Sequence, residues 1–111
     1  MTSIKSKNIT LLMDELIDVL DKYGTPTGSV ASKTQVHQNG FYHNTAHVWF
    51  YNYKGEILLQ QRSAKKTFFP LLWDVSVAGH VDSGESIRQA AVRETREEIG
   101  MFILETDLRK I

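Results

Sequence analysis

The chain has 111 residues, no net formal charge, 41% hydrophobic residues and 23% charged residues. That is enough apolar sequence for one small core, which excludes a disordered chain and leaves too little length for two domains. Charge neutrality excludes a general attraction to nucleic acid polymers or anionic membranes, and the absence of cysteine excludes disulfides, thiolate metal ligands and cysteine nucleophiles.

Residues 1–12 read as a loose polar tail in which Ile9, Leu11 and Leu12 are the docking candidates. Asp14, Glu15, Asp18 and Asp21 break up the apolar residues that follow, so this stretch does not read as a signal peptide. No run is long enough to span a bilayer, and the expected location is the cytoplasm. "DELIDVLD" (14–21) predicts a strand, and "KYGTPTGS" (22–29) predicts a turn. "SKTQVHQNG" (32–40) predicts one helical turn closed at Gly40. The aromatic, β-branched "NTAHVWFYNY" (44–53) and "EILLQQR" (56–62) predict a hairpin turning at Lys54-Gly55. "SAKKTFFPLL" (63–72) reads as a loop and "WDVSVAG" (73–79) as another strand, with Trp73 expected in the core. Ser86 to Gln89 fits a capping box that opens a long helix, and Gly100 is placed to end it. "MFILE" (101–105) predicts a short final strand. The succession of strands and helix gives an α/β or α+β class.

The long helix carries the chemistry-bearing residues. At roughly 100° per residue, Glu94, Glu97 and Glu98 share an arc of about 100°. Ala90 and Ala91 fall at the edges of that arc and are expected to leave it open. Val92, Thr95 and Ile99 lie opposite, where they can pack against a sheet. Two readings follow from the residues. One is a solvated face with ion pairs such as Arg93–Glu97 at i,i+4 spacing. The other is a site for a hard divalent cation, which favours oxygen ligands. Periodicity alone does not choose between them.

The surrounding spacing adds a further signal. Gly79, five residues, Glu85, seven residues, then "RETREEIGM" (93–101) resembles the Nudix box, Gly-x5-Glu-x7-Arg-Glu-U-x-Glu-Glu-x-Gly-U, with U a bulky aliphatic residue. Every fixed Gly, Glu and Arg is in place; Thr95 is the one departure, at a position where an aliphatic is usual. The resemblance implies an α/β/α sandwich around a mixed sheet. It also implies Mg2+ or Mn2+ as cofactor, held by Glu94, Glu97, Glu98 and the carbonyl of Ala78. Glu97 is implied to be either a further ligand or a proton acceptor, and the general base is drawn either from this helix or from a later loop. Glu85 and Arg93 are implied to pair and brace the loop that begins at Gly79 against the helix ending at Gly100.

The stretch 47–80 further resembles the Nudix branch that holds isopentenyl-diphosphate isomerases and related hydrolases. In that comparison Arg62, Lys65 and Lys66 are candidate diphosphate contacts, with solvated loop charges as the alternative. The isomerases use a cysteine for proton transfer at the position aligning with Ala78; alanine has no such proton, which argues against isomerase chemistry. His37, His43 and His80 roughly match metal-binding histidines of the isomerases, though the His37–His43 gap is one residue short. Structural, hydrogen-bonded roles are the alternative for each.

The expectation is therefore a single Nudix domain over 1–111, cut short after the box helix, whose uncovered sheet edge and core face lead either to association, as in a homo-oligomer, or to poor stability. The leading function is metal-dependent hydrolysis of a small organic or nucleoside diphosphate. A non-catalytic diphosphate-binding module is the rival from another class, and an isomerase the third reading.

Overall fold

The computed structural model describes residues 15–111, so the predicted tail and its docking residues lie outside the described part. Packing divides the described chain into two compact units. One comprises the residues up to Asn44 together with Val81–Glu85; the other comprises Thr45–His80 and Ser86–Ile111.

In the first unit, β1 (Leu16–Leu20) pairs antiparallel with β2 (Pro26–Ser32). The segment 22–29 was expected to be a turn, and only its first part is. Pro26 opens β2, a position where its missing N–H costs no ladder bond, and Gly28 takes φ 86°. Residues 26–30 are all exposed, so β2 shows none of the alternation by which a strand is recognised. Ser32 then caps α1 (Lys33–Asn39) through a capping box with Gln35, and Gly40 closes it in the left-handed conformation, as its position predicts. Ile17, Ala31 and Val36 form the unit's core.

In the second unit, β3 (Thr45–Val48) pairs with β6 (Val77–His80), and β4 (Gln60–Gln61) pairs with β5 (Trp73–Asp74). Every strand pair among the described residues is antiparallel. The expected strand 73–79 is broken after Asp74, whose Oδ1 accepts the N–H of Val75 at 2.7 Å. At this break the chain changes partner, from β4 to β3. Trp73, expected in the core, is exposed on the two-residue strand β5. The hairpin expected at Lys54-Gly55 is present but short. Asn52 and Leu58 donate to the carbonyls of Glu56 and Phe50 at 3.0 and 2.8 Å, and the Asn52 side chain caps the turn through Lys54 and Glu56.

α2 (Ile87–Ile99) begins at Ser86 with the predicted capping box and ends at Gly100, φ 70°. Its buried face is Ala90, Ala91 and Thr95, so the alanines pack instead of opening the acidic arc. The reason is size: a methyl lets the helix approach the β3–β6 pair closely, and Ala91 joins Val48 and Val77 in the core. Thr95 is fully buried and its Oγ1 donates to the Ala91 carbonyl at 2.6 Å, which lets it occupy an aliphatic position. The strand expected over 101–105 does not form. A 3-10 turn, Glu105–Asp107, follows the helix instead; Asp107 accepts the Leu104 N–H, and Arg88 donates to the carbonyls of Glu105 and Leu108.

Candidate functional site

The capped helix α2 and strand β6 set the three box carboxylates in three different environments. Glu94 lies directly against Gly79 of β6, where a Cβ would overlap its carboxylate and meet its Cγ at 2.8 Å. Glycine at this position is thus a steric requirement of Glu94. The Gly79 backbone is not left-handed, so conformational freedom is not the reason. Arg93 Nη1 donates to Glu94 Oε1 at 2.6 Å and to Glu97 Oε1 at 3.2 Å, while its Nη2 donates to the His80 carbonyl at 3.1 Å. One guanidinium therefore ties two carboxylates to the end of β6.

Only 13% of the Glu94 side chain is exposed, against 51% for Glu97. Burial is the chief reason its carboxyl is raised from 4.5 to about 7; Arg93 opposes the rise, while a hydrogen bond with Glu97 and the charge of Glu98 add to it. A carboxyl poised near neutrality beside two further carboxylates is a functional-site signature.

Glu98 points elsewhere. Its Oε1 accepts from Gln60 Nε2 at 2.7 Å and faces the Ala78 N–H at 3.4 Å. Ala78 sits opposite His47 in the β3–β6 pair. An extended residue presents its N–H and C=O on the same edge, so the Ala78 carbonyl projects on the Glu98 side. Among the described residues no group of three or more His, Asp or Glu side chains is arranged, as it stands, to hold a metal ion. Arg93 and Gln60 occupy the carboxylates instead.

The remaining candidates are placed as follows. Glu85 belongs to the other unit, where its Oε1 accepts the Asp82 N–H at 3.0 Å. Arg62 is engaged within its own loop: Nε donates to the Phe68 carbonyl at 3.2 Å and Nη1 lies 3.7 Å from Asp74. Lys65 and Lys66 are exposed on the same loop, and no ion pair joins them to a described residue. His37 and His43 meet edge to face with centroids 6.1 Å apart, and His43 Nδ1 contacts the Phe41 carbonyl at 2.9 Å. A cavity of about 230 Å³ lies along α2 between Val92, Arg93, Arg96 and Phe102; neither Glu94 nor Glu98 lines it. Gln60 was not singled out from the sequence. The available signal was an amide directly after the apolar run "ILL" (57–59), where alternation gives no reason for it.

The NUDIX domain family model matches residues 41–111, which contain all of these carboxylates. The chain belongs to the Nudix family. It is 39% identical over 101 residues to Nudix hydrolase 3 of Arabidopsis thaliana, covering 90% of this chain and 13% of that protein. It is 40% identical over 88 residues to isopentenyl-diphosphate Delta-isomerase 2 of Photorhabdus laumondii, covering 79% of this chain and 49% of that protein. The crystal structure of DR0079 from Deinococcus radiodurans superposes with a TM-score of 0.66 at 26% identity, covering 79% of this chain and 54% of that one. The α/β class and the isomerase-like branch read from the sequence agree with these relatives. The chain spans about half or less of the length of the relatives named. Among the described residues no helix is long and apolar enough to cross a membrane.

Proposed function

We propose that this Nudix chain supplies the cation-binding part of a site that hydrolyses a small organic or nucleoside diphosphate, with Mg2+ or Mn2+ as cofactor. The observation that carries the reading is the seating of Glu94 in the Gly79 cradle of β6, with Glu98 held at the neighbouring Ala78. The donor set fits a hard divalent cation, since carboxylate and carbonyl oxygens are present and no sulfur ligand is. Glu94, Glu97, Glu98 and the Ala78 carbonyl would hold the ion. The chemistry it supplies when bound is neutralisation of diphosphate charge and stabilisation of the leaving phosphate oxygen. To hold the ion, Glu94 and Glu97 would give up their contacts with Arg93, for which the His80 carbonyl remains as an anchor. Glu97, the half-exposed member, would serve either as a further ligand or as the acceptor of a proton from an attacking water. Lys65 and Lys66 are left for the substrate's phosphates, and Arg62 holds their loop through the Phe68 carbonyl.

Relatives named as isomerases favour a second reading. The lack of any cysteine, and alanine at position 78, oppose it. Incubation with Mg2+ and a panel of organic diphosphates should release phosphate-bearing products, and Glu98→Gln should abolish the release. Equal turnover in that variant overturns the assignment. Binding without turnover supports a diphosphate-binding module, and deuterium exchange into isopentenyl diphosphate supports the isomerase.

A further inference from the structure

The uncharged amide of Gln60 bonds a box carboxylate, and the surroundings fix it in place. Its Nε2 donates to the Ser76 carbonyl at 3.1 Å as well as to Glu98 Oε1 at 2.7 Å. Ser76 is itself fully buried and immobilised at the break between β5 and β6. Its hydroxyl donates to the Leu58 carbonyl and accepts the Phe50 N–H at 2.9 Å. A continuous chain of hydrogen bonds thus runs from the 50–58 hairpin through Ser76 and Gln60 to Glu98. Both contacts to Glu98 fall on Oε1, and Oε2 accepts no hydrogen bond from a described residue.

We infer that Gln60 is a positioning residue for Glu98: it holds Oε1 so that Oε2 stays directed to the cation. This rests on the proposed cation site and adds a residue to it. An amide suits the task because it donates to the carboxylate without adding a charge that would compete with the cation, as Arg93 does at Glu94. Outer partners that orient a ligating carboxylate typically contribute about 10- to 100-fold in metal affinity.

The test is Mn2+ affinity, read by electron paramagnetic resonance of the free ion, in four proteins: wild type, Gln60→Met, Glu98→Gln and the double variant. Methionine keeps the length and lacks the N–H donor. The expected result is a Mn2+ dissociation constant about 10- to 100-fold higher in Gln60→Met. No further rise is expected when the same change is made in the Glu98→Gln background. Thermal melting run alongside separates a loss of folding from a loss of orientation, because a merely structural role lowers the melting temperature and spares the affinity of the folded protein. Unchanged affinity in Gln60→Met, or an equal loss in both backgrounds, overturns the inference while leaving the cation site standing. Failure of wild type to bind Mn2+ overturns both.

Discussion

Replacing Gly79 with alanine places a methyl where the Glu94 side chain now lies, and the cost can be worked from the geometry. The Gly79 backbone is not in the left-handed region, so alanine meets no conformational penalty there. On that ground alone the change would stabilise by about 0.4–1 kcal/mol, through the less flexible unfolded chain. Against it stands an overlap that reaches back to Glu94 Cγ at 2.8 Å, too close to the helix to be relieved by turning the carboxylate. Glu94 must change rotamer, or α2 must move off β6. Overpacking of this kind costs about 1–3 kcal/mol. The net expectation is a loss of about 0–2.6 kcal/mol, read as a lower melting temperature. The decisive assay is a double-mutant cycle followed by thermal or urea unfolding. In a Glu94→Ala background the obstructing side chain is gone, and Gly79→Ala should become neutral or stabilising, with a coupling energy of about 1–3 kcal/mol. The same loss in both backgrounds would refute the claim that Gly79 exists to seat Glu94.

Two further outcomes follow from the same geometry. Because the Glu94 carboxyl is raised to about 7 from 4.5, the folded protein binds its proton more tightly than the unfolded chain. Its contribution to stability is therefore complete below about 4.5, declines as pH rises and is lost above about 7. Melting of the metal-free protein between those limits should show the decline, and Glu94→Gln should flatten it; an unaltered slope in the variant contradicts the assignment. Thr95→Val replaces a buried hydroxyl, bonded to its own helix, with a methyl, and should leave stability within about 1 kcal/mol of wild type on the stabilising side. A loss of more than about 2 kcal/mol in urea unfolding would mean that the Thr95 hydroxyl holds something besides the Ala91 carbonyl.

What the sequence revealed depended on whether the signal was local. Among the described residues α2 was legible because Ser86 with Gln89 and the left-handed Gly100 set its limits locally; α1, expected as one turn closed at Gly40, runs over seven residues behind a Ser32–Gln35 cap. The strands were less so. β2 contains Pro26 and Gly28 and is exposed along most of its length, so its existence rests on pairing with β1, which no local pattern announces. The division of 73–79 into two strands depends on the Asp74–Val75 bond and on two different partners. Helical spacing put Glu94, Glu97 and Glu98 on one arc, yet it could not show that Ala90 and Ala91 pack, that Glu94 is far more buried than Glu97 or that Glu98 turns to Gln60. Gln60 lies 38 positions from Glu98 along the chain, and only the fold brings the two side chains together.

The central claim is that the carboxylates of α2 form a divalent-cation site, and direct Mn2+ binding tests it without reference to any substrate. In an electron paramagnetic resonance titration at pH 8, above the range in which Glu94 holds its proton, wild type should remove the signal of free Mn2+, and Mg2+ should restore it. The paired substitution Glu94→Gln and Glu98→Gln, in protein shown to be folded, should leave the free-ion signal intact. A wild-type protein that leaves the signal untouched, or a paired variant that removes it equally well, contradicts the account.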